Sequence, residues 1–264
     1  TVAMQWMADN FARMGRPTVI IDPKMGSDLS AAVLSSGGQV ASLDSLAAAD
    51  GVFDPIRFAT SAESAAELAS SMLMAVNPWG SAWSDYETPL MRALSFGVRD
   101  AGAQCVGEAL KAAERAGHAP PEMVRKVFDL AEASPMFRAC VGINPGTSAL
   151  RISDGITLIK VGNAHLDLPD ARAVDKANQQ QRVALALVRM MVFGSAMALT
   201  GRAGVVMLDE AWVFLGSNSD DLEKLGRLAR SQQVLPMLFT QRVSDAVDAN
   251  LTGYISRGII LPLS

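Results

Sequence analysis

The chain has 264 residues, 50% of them hydrophobic and 19% charged, which excludes a chain disordered throughout and supplies enough apolar surface for a large core. Lys and Arg number 23 against 27 Asp and Glu, a formal net charge of −4, so no global positive field exists to hold nucleic acid nonspecifically. Two cysteines, Cys105 and Cys140, and two histidines, His118 and His165, are too few for a Cys/His metal cluster or a disulfide framework, and a reducing cytoplasm is the expected compartment.

Met4, Met7, Ala8, Phe11 and Ala12 recur at helical spacing and predict an amphipathic helix stopped by Gly15. Nothing in residues 1–16 resembles a basic n-region with a cleavage site. Thr18-Val19-Ile20-Ile21 is apolar and β-branched without alternation, the pattern of a parallel strand buried on both faces, and it ends at Asp22-Pro23-Lys24. A helix over 28–36 and a strand over 39–43 continue the alternation expected of βαβ units. Residues 62–75 are helical again until Asn77-Pro78-Trp79-Gly80, and 86–142 predict three or four helices without a strand.

The β signal returns at 155–161 and is followed by a helix over 173–199. The apolar run Val183 to Leu199 inside it contains Arg189 and falls short of the roughly 20 residues that span a bilayer, so a buried helix is expected. Next come a strand over 205–210, a helix over 220–231, a strand over 235–241 and a last apolar run at 258–263.

The strand Val205-Val206-Met207-Leu208 delivers two adjacent acids, Asp209 and Glu210, at its carboxyl end, where ligands of open parallel sheets bind. In phosphate-loop nucleotide hydrolases the first acid of such a couplet holds Mg2+ and the neighbouring glutamate orients or deprotonates the attacking water. The same couplet also suits a helix N-terminus, where the dipole favours acids. Gln241 ends the next apolar run; on an adjacent parallel strand its amide would lie beside the couplet, where a glutamine can bond the γ-phosphate and the water, although an ordinary polar strand end reads the same way. Arg227 and Arg230, three apart on the intervening helix, share one face. They suit either a solvated basic surface with Lys224 or a pair of fingers reaching a neighbouring subunit's γ-phosphate.

Such a site also needs a GxxxxGK[ST] loop, and none occurs in the sequence. Because the first helix begins at Thr1, the loop is expected upstream, lost by truncation or disorder.

Taken in order, Thr18-Val19-Ile20-Ile21-Asp22-Pro23-Lys24, Phe53-Asp54-Pro55-Ile56, the helical stretch, Met207-Leu208-Asp209-Glu210-Ala211-Trp212 and Phe239-Thr240-Gln241 resemble the conjugative-transfer ATPases of type IV secretion, the TraC-like branch of the FtsK/HerA superfamily. The resemblance covers nearly the whole chain as a C-terminal ATPase domain. It implies an α/β fold: a RecA-like P-loop NTPase core with a mainly parallel sheet, formed by 1–83 and 151–264, and an all-helical insertion subdomain over 84–150. It further implies ATP and Mg2+ as cofactors, a homo-oligomer of hexameric type, and a cytoplasmic position at the inner face of the bacterial membrane. There the domain would meet inner-membrane secretion-channel proteins and a transferred protein or DNA. Asp209 carries over as the Mg2+ aspartate, Glu210 as the catalytic glutamate, Gln241 as the γ-phosphate sensor, and Arg227 and Arg230 as the arginine-rich helix of a trans-acting finger. Thr1, a metal and nucleotide candidate, stands at or just after the end of the phosphate loop, and Asp22 and Lys24 join it as nucleotide-binding candidates. The fragment alone is expected to hydrolyse ATP poorly. The competing readings are a DNA-translocating coupling protein of the same superfamily and, from another class, a non-hydrolysing assembly scaffold.

Overall fold

The computed structural model describes residues 2–23, 29–47, 49–144, 150–160, 166–169, 173–211, 225–226 and 231–240. Its centre is a five-stranded sheet of β1 (Thr18–Asp22), β2 (Gln39–Ser42), β3 (Ile156–Lys160), β4 (Val205–Leu208) and β5 (Leu235–Leu238), in the order β2-β3-β1-β4-β5. Every pairing is parallel. The unalternated runs of β1 and β4 are buried along their whole length, as both faces of the sheet are covered.

Alternate residues serve opposite faces. Ile20, Leu158, Val205 and Met207 pack with Met4 and Ala8 of α1 (Val2–Arg13) and with Leu29 and Val33 of α2 (Leu29–Ser35). Val19, Ile21, Ile159, Val206 and Leu208 belong to the core that contains α10 (Gln179–Ala198). That helix is buried without interruption from Val183 to Met197, which explains its weak amphipathicity. It is long and apolar enough to cross a membrane, yet 83% of its most apolar window lies inside the fold. It starts at Gln179 rather than 173 because Asn178 closes a capping box with Gln181, each side chain bonding the other's backbone amide at 3.0 Å. Arg189, buried within it, donates to Ser71 Oγ at 3.2 Å.

Between β2 and β3 the described chain is helical: α3 (Leu43–Ala47), α4 (Pro55–Phe58), α5 (Ala62–Val76), α6 (Trp83–Arg99), α7 (Val106–Arg115), α8 (Pro121–Ala133) and α9 (Pro135–Cys140). The break expected at Asn77 is present: α5 ends there on a left-handed residue of φ 51° whose amide donates to the Leu73 carbonyl. Trp79, buried in the same break, donates from Nε1 to the Met123 carbonyl at 3.0 Å and so ties α8 to it. These helices share one continuous apolar core with α10 and one face of the sheet.

Helices α6 and α7 approach closely at Gly97, where a methyl group would lie 2.5 Å from the Cα and Cβ of Ala109. The obstacle is backbone, so Gly97→Ala must push the two helices apart. We expect it to lower the unfolding free energy by about 1–3 kcal/mol in chemical denaturation. A loss of no more than about 0.5 kcal/mol would show that the crossing is looser than described.

Candidate functional site

With both faces of the sheet occupied by apolar side chains, charge collects at its carboxyl edge. Asp22 ends β1, and its register partner on β3 is Lys160. On the other side Ile21 pairs with Leu208, and the Asp209 amide donates to the Ile21 carbonyl at 3.0 Å, which sets Asp209 opposite Asp22. By alternation both acids continue the face of Ile20 and Met207, the face on which α1 and α2 pack. Asp22 is buried, while Asp209, Glu210 and Lys160 are half-buried.

Beyond Leu208 the ladder is irregular. The Phe239 amide donates to the Leu208 carbonyl at 2.9 Å, but the Phe239 carbonyl accepts from Ala211, at 2.8 Å, and not from residue 210. One extra residue is therefore inserted at the acidic couplet, a β-bulge that re-aims the side chain beside it. Glu210 occupies the left-handed region at φ 53°, a conformation costly for a residue with a Cβ, and its amide donates to Asp209 Oδ1 at 3.2 Å.

Helix α1 reaches the same edge. It ends at Arg13, turns through Gly15 at φ 72° and feeds directly into β1, so it runs antiparallel to the strands. Its twelve residues span ~18 Å, about the length of β1, which brings its N-terminus level with the carboxyl ends of the strands. Its first turn carries no acid, leaving the positive end of the dipole for an external anion.

Of the sequence-predicted site residues, Asp22, Asp209 and Glu210 are thus brought together on neighbouring strand ends. Thr1, Lys24, Arg227, Arg230 and Gln241 lie outside the described residues. Phe239 and Thr240, the two residues before Gln241, follow β5, which does pair in parallel with β4 as expected. Leu225, Gly226, Ser231 and Gln232 are helical, in keeping with a helix between the two strands. His118 packs its ring against Phe96 at a centroid distance of 4.4 Å, away from the acids' strands, and His165 is outside the described residues. The structure adds Lys160, which the sequence signals only as a charge closing the apolar run Ile156 to Ile159.

Asp22 and Asp209, side by side on strands ~4.8 Å apart, repel each other unless a cation is near. Their oxygens are hard donors suited to Mg2+, which typically takes one or two carboxylates and completes its shell with water and substrate phosphate. Among the described residues no group of three or more His, Cys, Asp or Glu converges as a closed metal cage. The donor set fits a metal brought in with phosphate better than a structural ion.

The sequence matches the AAA-like domain over residues 1–261. No curated protein matches it. Among solved structures it is similar to VirB4 of Thermoanaerobacter pseudethanolicus, with a TM-score of 0.62 at 13% identity, over 95% of this chain and 69% of that one. At that identity the likeness bears on the fold alone, an α/β fold with a mainly parallel sheet.

The left-handed Glu210 gives a stability test independent of any activity. Glu210→Gly relieves the Cβ penalty and should raise the unfolding free energy by about 1 kcal/mol, whereas Glu210→Gln should leave it unchanged in the same denaturation experiment. A glycine variant less stable than the glutamine variant contradicts the bulge geometry.

Proposed function

The chain belongs to the AAA-like domain family, and we propose that it is the ATP-hydrolysing motor domain of a type IV secretion or conjugative-transfer machine, working on secretion or pilus assembly. The observation that carries this reading is the bulged acidic couplet Asp209-Glu210, set beside Asp22 and level with the N-terminus of α1 at one edge of the parallel sheet. The order of motifs that resembles the TraC-like ATPases supports the same conclusion.

In this reading Asp209 holds and orients Mg2+, which when bound with ATP neutralises charge on the phosphates. Glu210, turned out of the strand by the bulge, accepts the proton of the attacking water. The N-terminal amides of α1, with Thr1, face the phosphates. Asp22, at the end of β1, borders the nucleotide together with Lys24, and Gln241 bonds the γ-phosphate and the water. Arg227 and Arg230 act across a subunit boundary, which calls for a closed ring and supports a hexamer. Residues 1–83 and 151–264 form the ATPase core and 84–150 the helical subdomain. The domain works at the cytoplasmic face of the bacterial inner membrane, docked on channel proteins.

Turnover in the natural full-length protein tests the roles. Glu210→Gln should lower kcat at least about a hundredfold while ATP is still bound. Asp209→Asn should remove the dependence of nucleotide affinity on Mg2+, measured by titration with and without chelator. A wild-type rate in Glu210→Gln, or undiminished Mg2+ dependence in Asp209→Asn, contradicts the assignment.

A further inference from the structure

Two groups of acids in this molecule settle their charge differently. Asp54 gives its oxygens to backbone: Oδ1 accepts the Ile56 amide at 2.9 Å, and Oδ2 accepts the Val106 and Gly142 amides, each at 2.8 Å. Asp50 accepts the amides of Ile143 at 2.7 Å and Asn144 at 3.0 Å, and Arg138 approaches it at 3.6 Å. The oxygens of this pair are committed within the fold.

The carboxyl edge is arranged otherwise. Asp22, Asp209 and Glu210 gather there, and the one described cation in their row is Lys160, the register partner of Asp22. Leu158 and Lys160 share a face of β3, and Leu158 packs with Ile20, Met207 and the buried residues of α1, so the lysine stands on the same face as both aspartates. Helix α1 packs against β1 and β3 and presents its positive end on this side. Arg138 is paired with Asp50, and Arg202 lies 2.7 Å from Asp154. By contrast, no ion pair or hydrogen bond among the described residues fixes the half-buried Lys160 ammonium. Strands ~4.8 Å apart set its backbone roughly 10 Å from that of Asp209, a gap that the flexible four-carbon stem narrows to within the ~8 Å screening length of physiological salt.

An uncommitted ammonium in that position acts oppositely on two kinds of ligand. A bare divalent cation seeking the aspartates meets a like charge. The same cation complexed with a nucleoside triphosphate is part of an anion and is drawn in. We propose that Lys160 is a selectivity residue of the acidic edge, the resident counter-ion of Asp22 and Asp209, which disfavours bare Mg2+ and favours Mg2+ that arrives on a triphosphate. The inference rests on the motor reading, which puts Mg2+ at Asp209. Its consequence is that the acids do not retain metal once the nucleotide has left.

Manganese binding to the natural full-length protein, followed through the electron paramagnetic resonance signal of free Mn2+, tests this without turnover. The relevant site is the Mn2+ binding that Asp209→Asn abolishes. At low ionic strength Lys160→Met, which keeps an apolar stem and removes the charge, should bind bare Mn2+ about three- to tenfold more tightly, and Mn2+ with a non-hydrolysable ATP analogue about three- to tenfold less tightly. Lys160→Arg should stay within about twofold of the wild type for both ligands, and ~0.5 M salt should shrink both differences. A Lys160→Met protein whose affinity for bare Mn2+ is unchanged or lower, or in which both ligands shift in the same direction, overturns the inference and leaves the motor reading standing. Mn2+ binding that survives Asp209→Asn overturns the motor reading itself, and the inference with it.

Discussion

A parallel sheet covered by helices on both faces has room for charge only at its ends, and that constraint organises this molecule. Every residue of β1 and β4 is buried, with one set of side chains committed to α1 and α2 and the other to the core of α10. The carboxyl edge is where β1, β3 and β4 release their polar residues, and the register lines these up as Lys160, Asp22 and Asp209. Burial within the sheet thus does two jobs, holding the fold and fixing where its charges can stand.

The edge is made asymmetric by two local devices. The extra residue at Asp209-Glu210 breaks the alternation that would send these two acids to opposite faces, and it does so at a visible backbone cost in the left-handed Glu210. The antiparallel run of α1 adds the positive end of a helix at the same level. Acids, a displaced carboxylate and a helix N-terminus form the edge that we propose receives a phosphate carried by a divalent cation. Away from this edge, the same need to satisfy buried polar groups is met by Asp50 and Asp54, which gather amides from three chain segments.

Much of this was legible in the residues. Unalternated β-branched runs marked β1 and β4 as doubly buried strands, the 3.6-residue period marked α1 and α5, and a long apolar run marked α10 as a buried helix. The Asp-Glu couplet alone suited a helix N-terminus as well, and its place at a strand end was legible from the second apolar run about thirty residues on that ends at Gln241. The start of α10 was signalled but passed over: Asn178 and Gln181 have capping-box spacing just ahead of the apolar run, and their reciprocal bonds fix the boundary. The bulge was not legible, since Glu210 carries no glycine-like signature of a left-handed residue. Lys160 gained meaning only from the register that sets it beside Asp22. Asp54 stood out only as part of the stretch Phe53-Asp54-Pro55-Ile56, because its partners lie 52 and 88 residues away. Long-range pairing of irregular backbone leaves no period in a sequence.

The central claim is that the strand-end acids and the start of α1 serve one metal-bound triphosphate. Anomalous diffraction from crystals of the full-length protein grown with Mn2+ and a non-hydrolysable ATP analogue tests it most directly. The account predicts a manganese peak at the carboxyl edge, bound to Asp209 directly or through one water, with the triphosphate between it and the N-terminus of α1. A peak elsewhere on the molecule, or nucleotide bound with Asp209 and Glu210 out of reach of it, contradicts the account.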